Sequence, residues 1–541
     1  MKSSLLATQK ETKRCFLFQH NLILDILIKG LYLHHQTNTM KDTLNKSQIF
    51  IASILIILLK SVFFLTKHIQ EDALISWRVA RNIIEYGIYG YNGIEKISAS
   101  TTHLYVFVGV IFQSIFPDNS FIYPLLIFNT ILLTIGIYWL AKLFFDNTTK
   151  VILFLLFVSF LPPVIKMSIL GMEFGMLFFF YMALIKFGFV ERKNWAFLLL
   201  PVLILWTRID TAIFLGLLFI YDVIQQRKWN TIFMLGGILA VVSVVSFNWF
   251  YFGEIVNNTI TSKKNNYSSP TIIERWNAFK FSAPNYFGMV KFPTSIYNFS
   301  TLILFIISLV NLLFLNRKLT VDKRKVITFL FLFGLVKSII FGAANSWFDW
   351  YYWIPQICLF LPIILIILDS EKYKILSIAY LFIFGLPFTA YQAVHSIATG
   401  HGEWNHARKI GLYLDSIEPN KNNYIFLEPA GYIPYFSKLK VIDYVGLVDK
   451  RLTDENIVKN GQAVGFSNLI NKAKPKYILE DHQPMFEGKL ADKSIYQEYE
   501  LIKEFKIADV AKSENVILDK IYKFKPSGRD FYLYKRKDSA K

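Results

Sequence analysis

The strongest constraint on the fold is a series of long apolar runs separated by polar loops. The first run, Ile49–Leu65, is long enough to cross a bilayer as an α-helix. Of the 541 residues, 54% are hydrophobic and 51 are phenylalanine, and the mean hydropathy is +0.39. Because a soluble domain of this size does not carry so much apolar surface, the composition predicts a polytopic α-helical membrane protein.

Further apolar runs follow the first and bring the prediction to about eleven spans. Several of them are shorter than a full bilayer crossing, so their ends are less sharply set. They cover Phe121–Phe145, Val151–Ile165, Phe174–Val190, Trp195–Trp206, Ala212–Ile224, Ile232–Phe252, Phe299–Leu315, Val326–Ala343, Tyr351–Leu368 and Ile375–Tyr391.

Basic residues occur in every second loop between these runs. The positive-inside rule assigns such loops to the cytoplasm. They contain Lys142 and Lys150, Arg192 and Lys193, Arg227 and Lys228, Arg317 to Lys325, and Lys372 and Lys374. The amino end is then cytoplasmic, and the outer segments are residues 66–120, 166–173, 207–211, 253–298, 344–350 and everything after Tyr391.

This alternation requires that two helices of the first outer loop lie on the membrane surface. The apolar stretch His103–Phe116 is too short to cross a bilayer. The stretch Ala73–Tyr86 combines an apolar stripe with a polar one, which is typical of a surface helix.

The composition changes after residue 392. Residues 393–541 are rich in lysine, acidic residues and turn formers, as in a soluble domain. Residues 407–417 predict a helix, and segments at 424–429, 440–448, 476–480 and 531–537 predict short strands. We therefore predict a transmembrane domain over 40–392 and a small outer-face soluble α/β domain over 393–541.

Residues 1–39 differ from both domains, because they mix polar and apolar residues without a run of full span length. We predict that Met40 is the natural start of the protein. The alternative is an amphipathic surface helix over residues 17–33. No cleaved signal is predicted, since the first full apolar run lacks a small-residue cleavage site.

The net charge of +19 has a simple explanation in lysine-rich loops and attraction to anionic lipid headgroups. No soluble segment carries a basic stripe interleaved with aromatic residues, so no nucleic-acid partner is predicted. Cys15 and Cys358 are far apart in the sequence. Neither a disulfide framework nor a thiolate metal site is therefore predicted.

An acidic pair, Glu71 and Asp72, opens the first predicted surface helix. A carboxylate at the edge of the lipid phase is costly to desolvate, so its placement suggests a function such as general base. The structural alternative is that both residues complement the dipole of the helix that they open. The two roles are compatible.

Other outer loops also place polar residues between apolar segments. Glu173 opens a span, and Arg208 lies between two short spans. Arg208 either binds a phosphate, to which guanidinium geometry is suited, or only pairs with Asp210. Lys263 and Lys264 are further candidates for binding a phosphate, and the candidates for other substrate contacts are Asp210, Asn257, Asn258, Tyr267, Asp349, Tyr435 and Asp443. The alternatives are a solvated loop for residues 254–267 and an interfacial aromatic belt for Trp347 and Trp353.

Several motifs occur in the order seen in one known family. They read EDALISWRVARN, YGIYGYNG and SASTTHLYVF in the first outer loop, then GMEFGMLF, WTRIDTAIF, YFGEIVNNTITSK and EPAGYIPYFSKLKVIDYVGLVD. Together they resemble GT-C-fold glycosyltransferases, a group that includes the lipid A aminoarabinose transferase and protein mannosyltransferases. The LphB and cell-wall arabinofuranosyltransferase branch is the most similar. The resemblance covers about residues 48–449, with Ile209 where the family usually has proline.

The resemblance implies an integral-membrane glycosyltransferase of the bacterial inner membrane with a periplasmic C-terminal domain. The donor would be a polyprenyl-phosphate sugar, and the acceptor a cell-envelope glycan, lipid or protein hydroxyl on the outer face. Asp72 matches the general base, Glu173 the second-loop acid and Arg208 the third-loop basic residue. Lys263 and Lys264 would help to bind the donor phosphate. Glu71 and Glu173 are candidates for supporting the base or binding Mg²⁺ or Mn²⁺.

Two other function classes remain open. A transporter or flippase of a lipid-linked sugar would also need many spans, and a non-catalytic envelope scaffold would bind glycan through the tail. The absence of inverted repeats in the sequence argues against the transporter. No P-loop, zinc-protease or hydrolase-nucleophile motif occurs, so no nucleotide cofactor is predicted.

Overall fold

The structure is a computed structural model. It describes residues 45–93, 95–266, 294–344, 348–369, 386–451, 458–459, 462–463, 466–481, 495–510, 520–521, 523 and 527–537. The predictions for residues 1–39 and for the start at Met40 lie outside these residues. So does most of the predicted span Ile375–Tyr391.

The membrane part consists of helices that follow the predicted apolar runs. Helices α1 to α8 are Asn45–Thr66, Glu71–Tyr86, His103–Ile115, Ile122–Phe144, Thr148–Ser159, Pro162–Ile169, Phe174–Ala183 and Asn194–Thr207. Helices α9 to α15 are Ala212–Gln226, Thr231–Phe247, Asn258–Asn266, Thr294–Lys318, Val321–Ala343, Trp353–Asp369 and Leu386–Gly402. Three helices continue as π-helical turns: α7 through Leu184–Val190, α10 through Asn248–Phe252 and α15 through Glu403–Ala407.

Within the described residues, five helices are long and apolar enough to cross a membrane: α1, α4, the segment Ile209–Gln226, the segment Thr231–Phe252, and α13. Helices α5 and α6 count as a sixth span if this pair, bent by 70° between Ser159 and Pro163, crosses as one unit. Four more apolar helices are shorter, among them Phe174–Val190. The chain is therefore compatible with a multi-pass membrane protein, while the count of eleven spans stays a prediction.

Both helices expected in the first outer loop are present as α2 and α3. Helix α2 begins with Glu71 and Asp72 in its first turn, where acidic residues complement the dipole. It ends at Gly87, whose φ of +69° is the left-handed C-cap conformation that glycine adopts without strain. Most of its side chains are buried, including Trp77. Helix α2 is thus a core element between the membrane part and the outer domain.

The outer domain is a small α/β unit. It contains α16 (Arg408–Ile417), β1 (Tyr424–Leu427), α17 (Tyr432–Ser437), β2 (Lys440–Asp443), β3 (Val458–Lys459), β4 (Gln462–Ala463), α18 (Phe466–Ala473), β5 (Tyr477–Glu480), α19 (Ile495–Glu498), β6 (Tyr499–Phe505), α20 (Ile507–Val510) and β7 (Phe531–Arg536). The five-stranded sheet has the order β2-β1-β5-β7-β6. Strand β1 pairs in parallel with β2 and β5, whereas β7 is antiparallel to β5 and β6.

Buried polar contacts fix the outer domain on α2. The guanidinium of Arg78 donates to three backbone carbonyls, those of Tyr91 at 3.0 Å and of Pro434 and Leu439 at 2.6 Å. The side chain of Asn92 both donates to and accepts from the backbone of Val441, each at 2.8 Å. Asn92 therefore closes the free edge of β2 in the way that a neighbouring strand would.

One aromatic assignment was wrong. Trp353, expected in an interfacial belt, is 1% exposed and packs edge-on against Phe174, with ring centroids 5.8 Å apart. Its ring belongs to the core where α14 meets α7. Packing between helices thus outweighs the general preference of tryptophan for the membrane surface.

Candidate active site

A small cleft lies where one end of the helical bundle meets the C-terminal domain, which is called outer after its predicted side of the membrane. We call it the Asp72 cleft, and its volume is about 50 Å³. Its walls come from α2, the segment 99–102, the starts of α7 and α11, the end of α8, and one loop of the outer domain. The lining includes Asp72, Ser76, Ser100, Thr102, Met172, Glu173, Arg208, Thr259, Lys263, Trp350, Tyr351 and Leu447.

Asp72 reaches the cleft from the first turn of α2 and is partly exposed. Among the described residues, no donor bonds to its carboxylate. One turn further, Ser76 lies within 3.1 Å of the Ser100 hydroxyl and 3.4 Å of the Thr102 hydroxyl. The carboxylate thus stands free beside a cluster of hydroxyl groups, which is the arrangement that a proton acceptor for a bound hydroxyl needs.

A buried chain of charges forms the floor of the cleft. Arg208 Nη1 donates to Glu173 Oε1 at 2.5 Å, and its Nε donates to Asp210 Oδ1 at 2.8 Å. Asp210 Oδ2 accepts from Lys337 Nζ at 3.0 Å. Because the two cations and two carboxylates alternate, this chain is close to neutral and can be buried. The structure records no partner for Arg208 Nη2 among the described residues.

The backbone at Arg208 explains how the guanidinium reaches the cleft. Helix α8 ends at Thr207, and Arg208 is extended, with φ −159° and ψ 130°. A 3₁₀ turn over Ile209–Thr211 follows, closed by a hydrogen bond from Thr211 Oγ1 to the Arg208 carbonyl at 2.6 Å. Ile209 thus lies in a tight turn.

An aromatic wall brings a second cation to the cleft. Lys263, on α11, lies with its Nζ 3.3 Å from the hydroxyl of Tyr351. The guanidinium of Arg208 lies 5.3 Å from the centre of the same ring. Aromatic faces attract cations, so Tyr351 holds both charges toward the cleft.

The outer domain contributes the lid of the cleft through residues 445–447. Asp443, at the end of β2, accepts hydrogen bonds from the backbone N–H groups of Leu447 and Val448, at 2.8 and 2.9 Å. Asn258 Nδ2 donates to the carbonyl of Gly446 at 2.8 Å. Asn258 and Asp443 therefore position Leu447 over the cleft and are themselves buried behind it.

Glu71 faces away from Asp72. Its Oε2 accepts from the backbone N–H of Tyr432 at 2.8 Å, and a Cβ on Gly431 would come within 1.8 Å of that oxygen. Only glycine fits at position 431 when Glu71 is in place. The carboxylate of Glu71 thus belongs to the contact between α2 and α17.

Glu71 shares this environment with Glu403 and Glu428, which we call the acid cluster. Burial, together with the nearby Glu403 carboxyl, raises the pKa of Glu71 well above its ordinary value. Burial also raises the pKa of Glu403, to about 7, although Arg529 acts in the opposite direction. The Arg529 cation thus faces the carboxyls of the acid cluster, and part of this cluster is protonated near neutral pH.

The remaining predicted residues divide between support and undescribed positions. Asn257 is buried and bonds to Asn248 and Ser98. Tyr435 is buried in α17, where its hydroxyl donates to Asn119 and its carbonyl accepts from Arg81. The side chains of Lys264, Tyr267 and Asp349 lie outside the described residues.

The candidates for metal binding have other partners. Glu71 bonds to the outer domain, and Glu173 pairs with Arg208. Within the part of the chain that the structure describes, no group of three or more His, Cys, Asp or Glu side chains is arranged to hold a metal ion. The divalent cation stays a prediction.

Sequence reasoning missed two kinds of residue in the cleft and one behind it. Ser76, Ser100 and Thr102 belong to quoted motifs, but their hydroxyl groups were not singled out. Thr259 Oγ1 is buried against the cleft and has no hydrogen-bond partner in the described structure. Lys337 lies within a predicted span, and a charged residue there is a signal for function that could have identified it.

Comparison with known proteins identifies one domain of the chain. Residues 394–534 match a family described as a domain of unknown function, DUF8728. This range begins in α15, contains strands β1 to β6 of the outer domain and ends within β7. No curated protein matches the chain. The match covers about a quarter of the sequence and carries no activity with it.

Proposed function

We propose that this protein is an integral-membrane glycosyltransferase that uses a polyprenyl-phosphate sugar. The observation that carries the proposal is the free carboxylate of Asp72, which faces Arg208 and Lys263 across a cleft at the ends of apolar helices. The order of the family-like motifs along the chain adds to it. The acceptor would be a glycan or lipid of the cell envelope.

The reaction needs a base for the acceptor and a cation for the leaving group. The Asp72 carboxylate would take the proton of the acceptor hydroxyl as its oxygen attacks the anomeric carbon of the sugar. The bond from that carbon to the phosphate oxygen would break, and polyprenyl phosphate would leave with the electron pair. Arg208 Nη2 and Lys263 Nζ would stabilise the charge that develops on the phosphate.

The small volume of the cleft limits what it holds in this conformation. About 50 Å³ accommodates a hydroxyl or phosphate group rather than a whole lipid-linked sugar. We expect the donor to widen the cleft between α11 and the 3₁₀ turn Asp349–Tyr351, which meet through side-chain contacts such as that of Lys263 Nζ with Tyr351 Oη.

A transporter of lipid-linked sugars is the second candidate. It would bind the same headgroup through the same cations but would leave the sugar–phosphate bond intact. The free carboxylate of Asp72 favours the transferase, because transport of an anionic lipid gains nothing from an unpaired negative charge beside the headgroup.

The test uses the full-length protein in proteoliposomes with lipid extract and an envelope fraction from the same organism. A transferase releases polyprenyl phosphate and transfers label from the lipid to the acceptor fraction. The expected result is release that depends on the protein and is lost in Asp72→Asn. Movement of intact labelled lipid between leaflets without release of polyprenyl phosphate would instead establish the transporter.

A further inference from the structure

A second and larger cavity lies at the opposite ends of the membrane helices. Its volume is about 590 Å³, within the usual range for small-molecule sites. It is formed by the last turns of α4, the π-helical turn Leu184–Val190 and the first turn of α13. The lining consists of Tyr138, Trp139, Lys142, Leu143, Lys186, Val190, Glu191, Thr320, Asp322, Lys323 and Val326.

This cavity, which we call the lysine cavity, lies far from the Asp72 cleft. The helix that runs from Phe174 to Val190 begins beside Glu173 in the cleft and ends in the cavity wall. At 1.5 Å per residue it spans about 25 Å, close to the thickness of a hydrocarbon core. The lysine cavity is therefore at the other membrane surface, where headgroups of the second leaflet would lie.

The charge of the cavity favours an anion. Lys186 is already neutralised by Glu191, with Nζ 2.6 Å from Oε1. Lys323 donates to the Phe144 carbonyl, and its nearest carboxylate, on exposed Asp146, is 3.6 Å away. For Lys142 the structure records no partner among the described residues, although its side chain is partly buried. Asp322 also lines the cavity, so the lining holds three lysines against two carboxylates and keeps an excess of one positive charge.

The backbone and the apolar lining favour a lipid. Helix α13 begins at the cavity without a side-chain N-cap bond, so its first N–H groups can donate to a phosphate, although Asp322 in the same turn already places one negative charge there. The π-helical turn that carries Lys186 is a rare conformation that often occurs at functional sites. Trp139, Leu143 and Val326 supply an aromatic and aliphatic wall, which suits the glycerol and upper acyl region of a lipid.

We propose that the lysine cavity binds the phosphodiester headgroup of an anionic phospholipid such as phosphatidylglycerol. Basic pockets between helix ends at the membrane surface are suited to such headgroups, because lysine ammonium groups there attract anionic lipid. The bound lipid joins α4, α7 and α13 at the end of the bundle remote from the Asp72 cleft. This site is independent of the proposed transfer reaction.

The experiment measures lipid binding and thermal stability of the full-length protein in detergent, after removal of native lipid. We expect phosphatidylglycerol to raise the unfolding temperature and to bind in native mass spectra, whereas phosphatidylcholine does neither. The variant Lys142→Gln should weaken phosphatidylglycerol binding at least fivefold, and Lys142→Arg should retain it. The matched control is Lys228→Gln, an exposed lysine in another predicted cytoplasmic loop.

Three outcomes would overturn the proposal. Equal loss of phosphatidylglycerol binding in Lys142→Gln and Lys228→Gln would mean that surface charge alone attracts the lipid. Equal stabilisation by phosphatidylcholine would mean that the site does not select charge. Saturable binding of inorganic phosphate that competes with phosphatidylglycerol at equal concentration would identify a site for a soluble anion. Lys142 is partly exposed, so Lys142→Gln is expected to fold, and its unfolding temperature without lipid checks this.

Discussion

The two sides of helix α2 differ sharply, although their residues are neighbours in the sequence. Asp72 and Ser76 face a cleft in which a carboxylate and several hydroxyl groups remain available. Glu71 and Arg78 face the outer domain, and the guanidinium of Arg78 is fully engaged by backbone carbonyls. One helix therefore presents a reactive side and a docking side.

This difference shows how contacts with a neighbouring domain can orient a reactive side chain. Successive residues on a helix point about 100° apart, and here Asp72 points into the cleft while Glu71 points to the outer domain. The docking contacts of Glu71 and Arg78 fix the rotation of α2 about its axis. That rotation directs Asp72 into the cleft, where no donor among the described residues bonds to its carboxylate.

The largest expected difference in activity is between variants of Asp72 and variants of Glu71. Asp72→Asn should lower the rate of sugar transfer by about 10²–10⁴-fold, because the base is lost while the shape of the side chain is kept. Glu71→Gln should retain most of the activity, since Glu71 does not face the cleft. Transfer assays on the purified proteins measure both. Near wild-type transfer by Asp72→Asn would remove Asp72 from the mechanism.

The sequence predicted the cleft better than it predicted the docking side. Asp72, Glu173, Arg208 and Lys263 come from four different loops, and the structure brings all four together. Those loops follow from the alternation of apolar runs, which brings outer loops to one membrane surface. The direction of Glu71 depends on where the outer domain packs, and a helical pattern carries no information about that contact.

The outer domain shows the same limit. Helix α16 and strands β1, β2, β5 and β7 fall within predicted segments, because each has a buried apolar pattern. Strand β6 was missed: most residues of YELIKEF are exposed at the sheet edge, and its charges obscure the strand pattern. The role of Asn92 could not be predicted either, because the sequence does not distinguish an asparagine that closes a sheet edge from one in a turn.

The second prediction tests the docking side through Arg78. Arg78→Ala should leave three buried carbonyls without their hydrogen-bond donor, each at a cost of about 1–3 kcal/mol. The free energy of unfolding should therefore fall greatly. Arg81→Ala is the matched control, because Arg81 makes one recorded hydrogen bond, to the Tyr435 carbonyl, and is less buried. Thermal unfolding and protease release of the outer domain measure the difference. Similar losses in both variants would contradict the docking role of Arg78.

The third prediction concerns the acid cluster and pH. The folded-state pKa of Glu403 is raised to about 7 by burial, so its stabilising effect is full below pH 4.5 and is lost as pH rises through 7. Glu71, Glu428 and Arg529 face it. Glu403→Gln should therefore have the same unfolding temperature as the wild type at pH 5. At pH 8 it should unfold at a higher temperature, with a gain in the free energy of unfolding of at most about 3 kcal/mol.

Glu418 provides a control of opposite sign. Burial works to raise its pKa, but hydrogen bonds from Lys476 and the Asn420 backbone outweigh burial and lower it. Its stabilising effect is present above pH 4.5 and is lost as pH falls through the lowered pKa. Glu418→Gln should thus cost stability at pH 8 and little at pH 3. Parallel pH profiles for Glu403→Gln and Glu418→Gln would refute the protonated state of the acid cluster.

The smallest expected effect distinguishes phosphate binding from internal pairing at Arg208. If Arg208 Nη2 binds the donor phosphate, Arg208→Ala should raise the KM for the donor by about tenfold or more, the worth of one charged hydrogen bond, and should exceed the effect of Lys263→Ala. Arg208→Lys should rescue only part of this, because the planar fork is lost.

The alternative is that Arg208 only neutralises its neighbours. Asp210 keeps Lys337 when Arg208 is removed, whereas Glu173, 2% exposed, loses the one ion pair recorded for it within the described residues. The matched rescue is therefore Arg208→Ala with Glu173→Gln, which removes the stranded charge and should restore protein yield. Donor KM in this double variant decides between the two roles. A KM that stays raised at normal yield supports phosphate binding, and a KM that returns to the wild-type value makes Arg208 a structural cation.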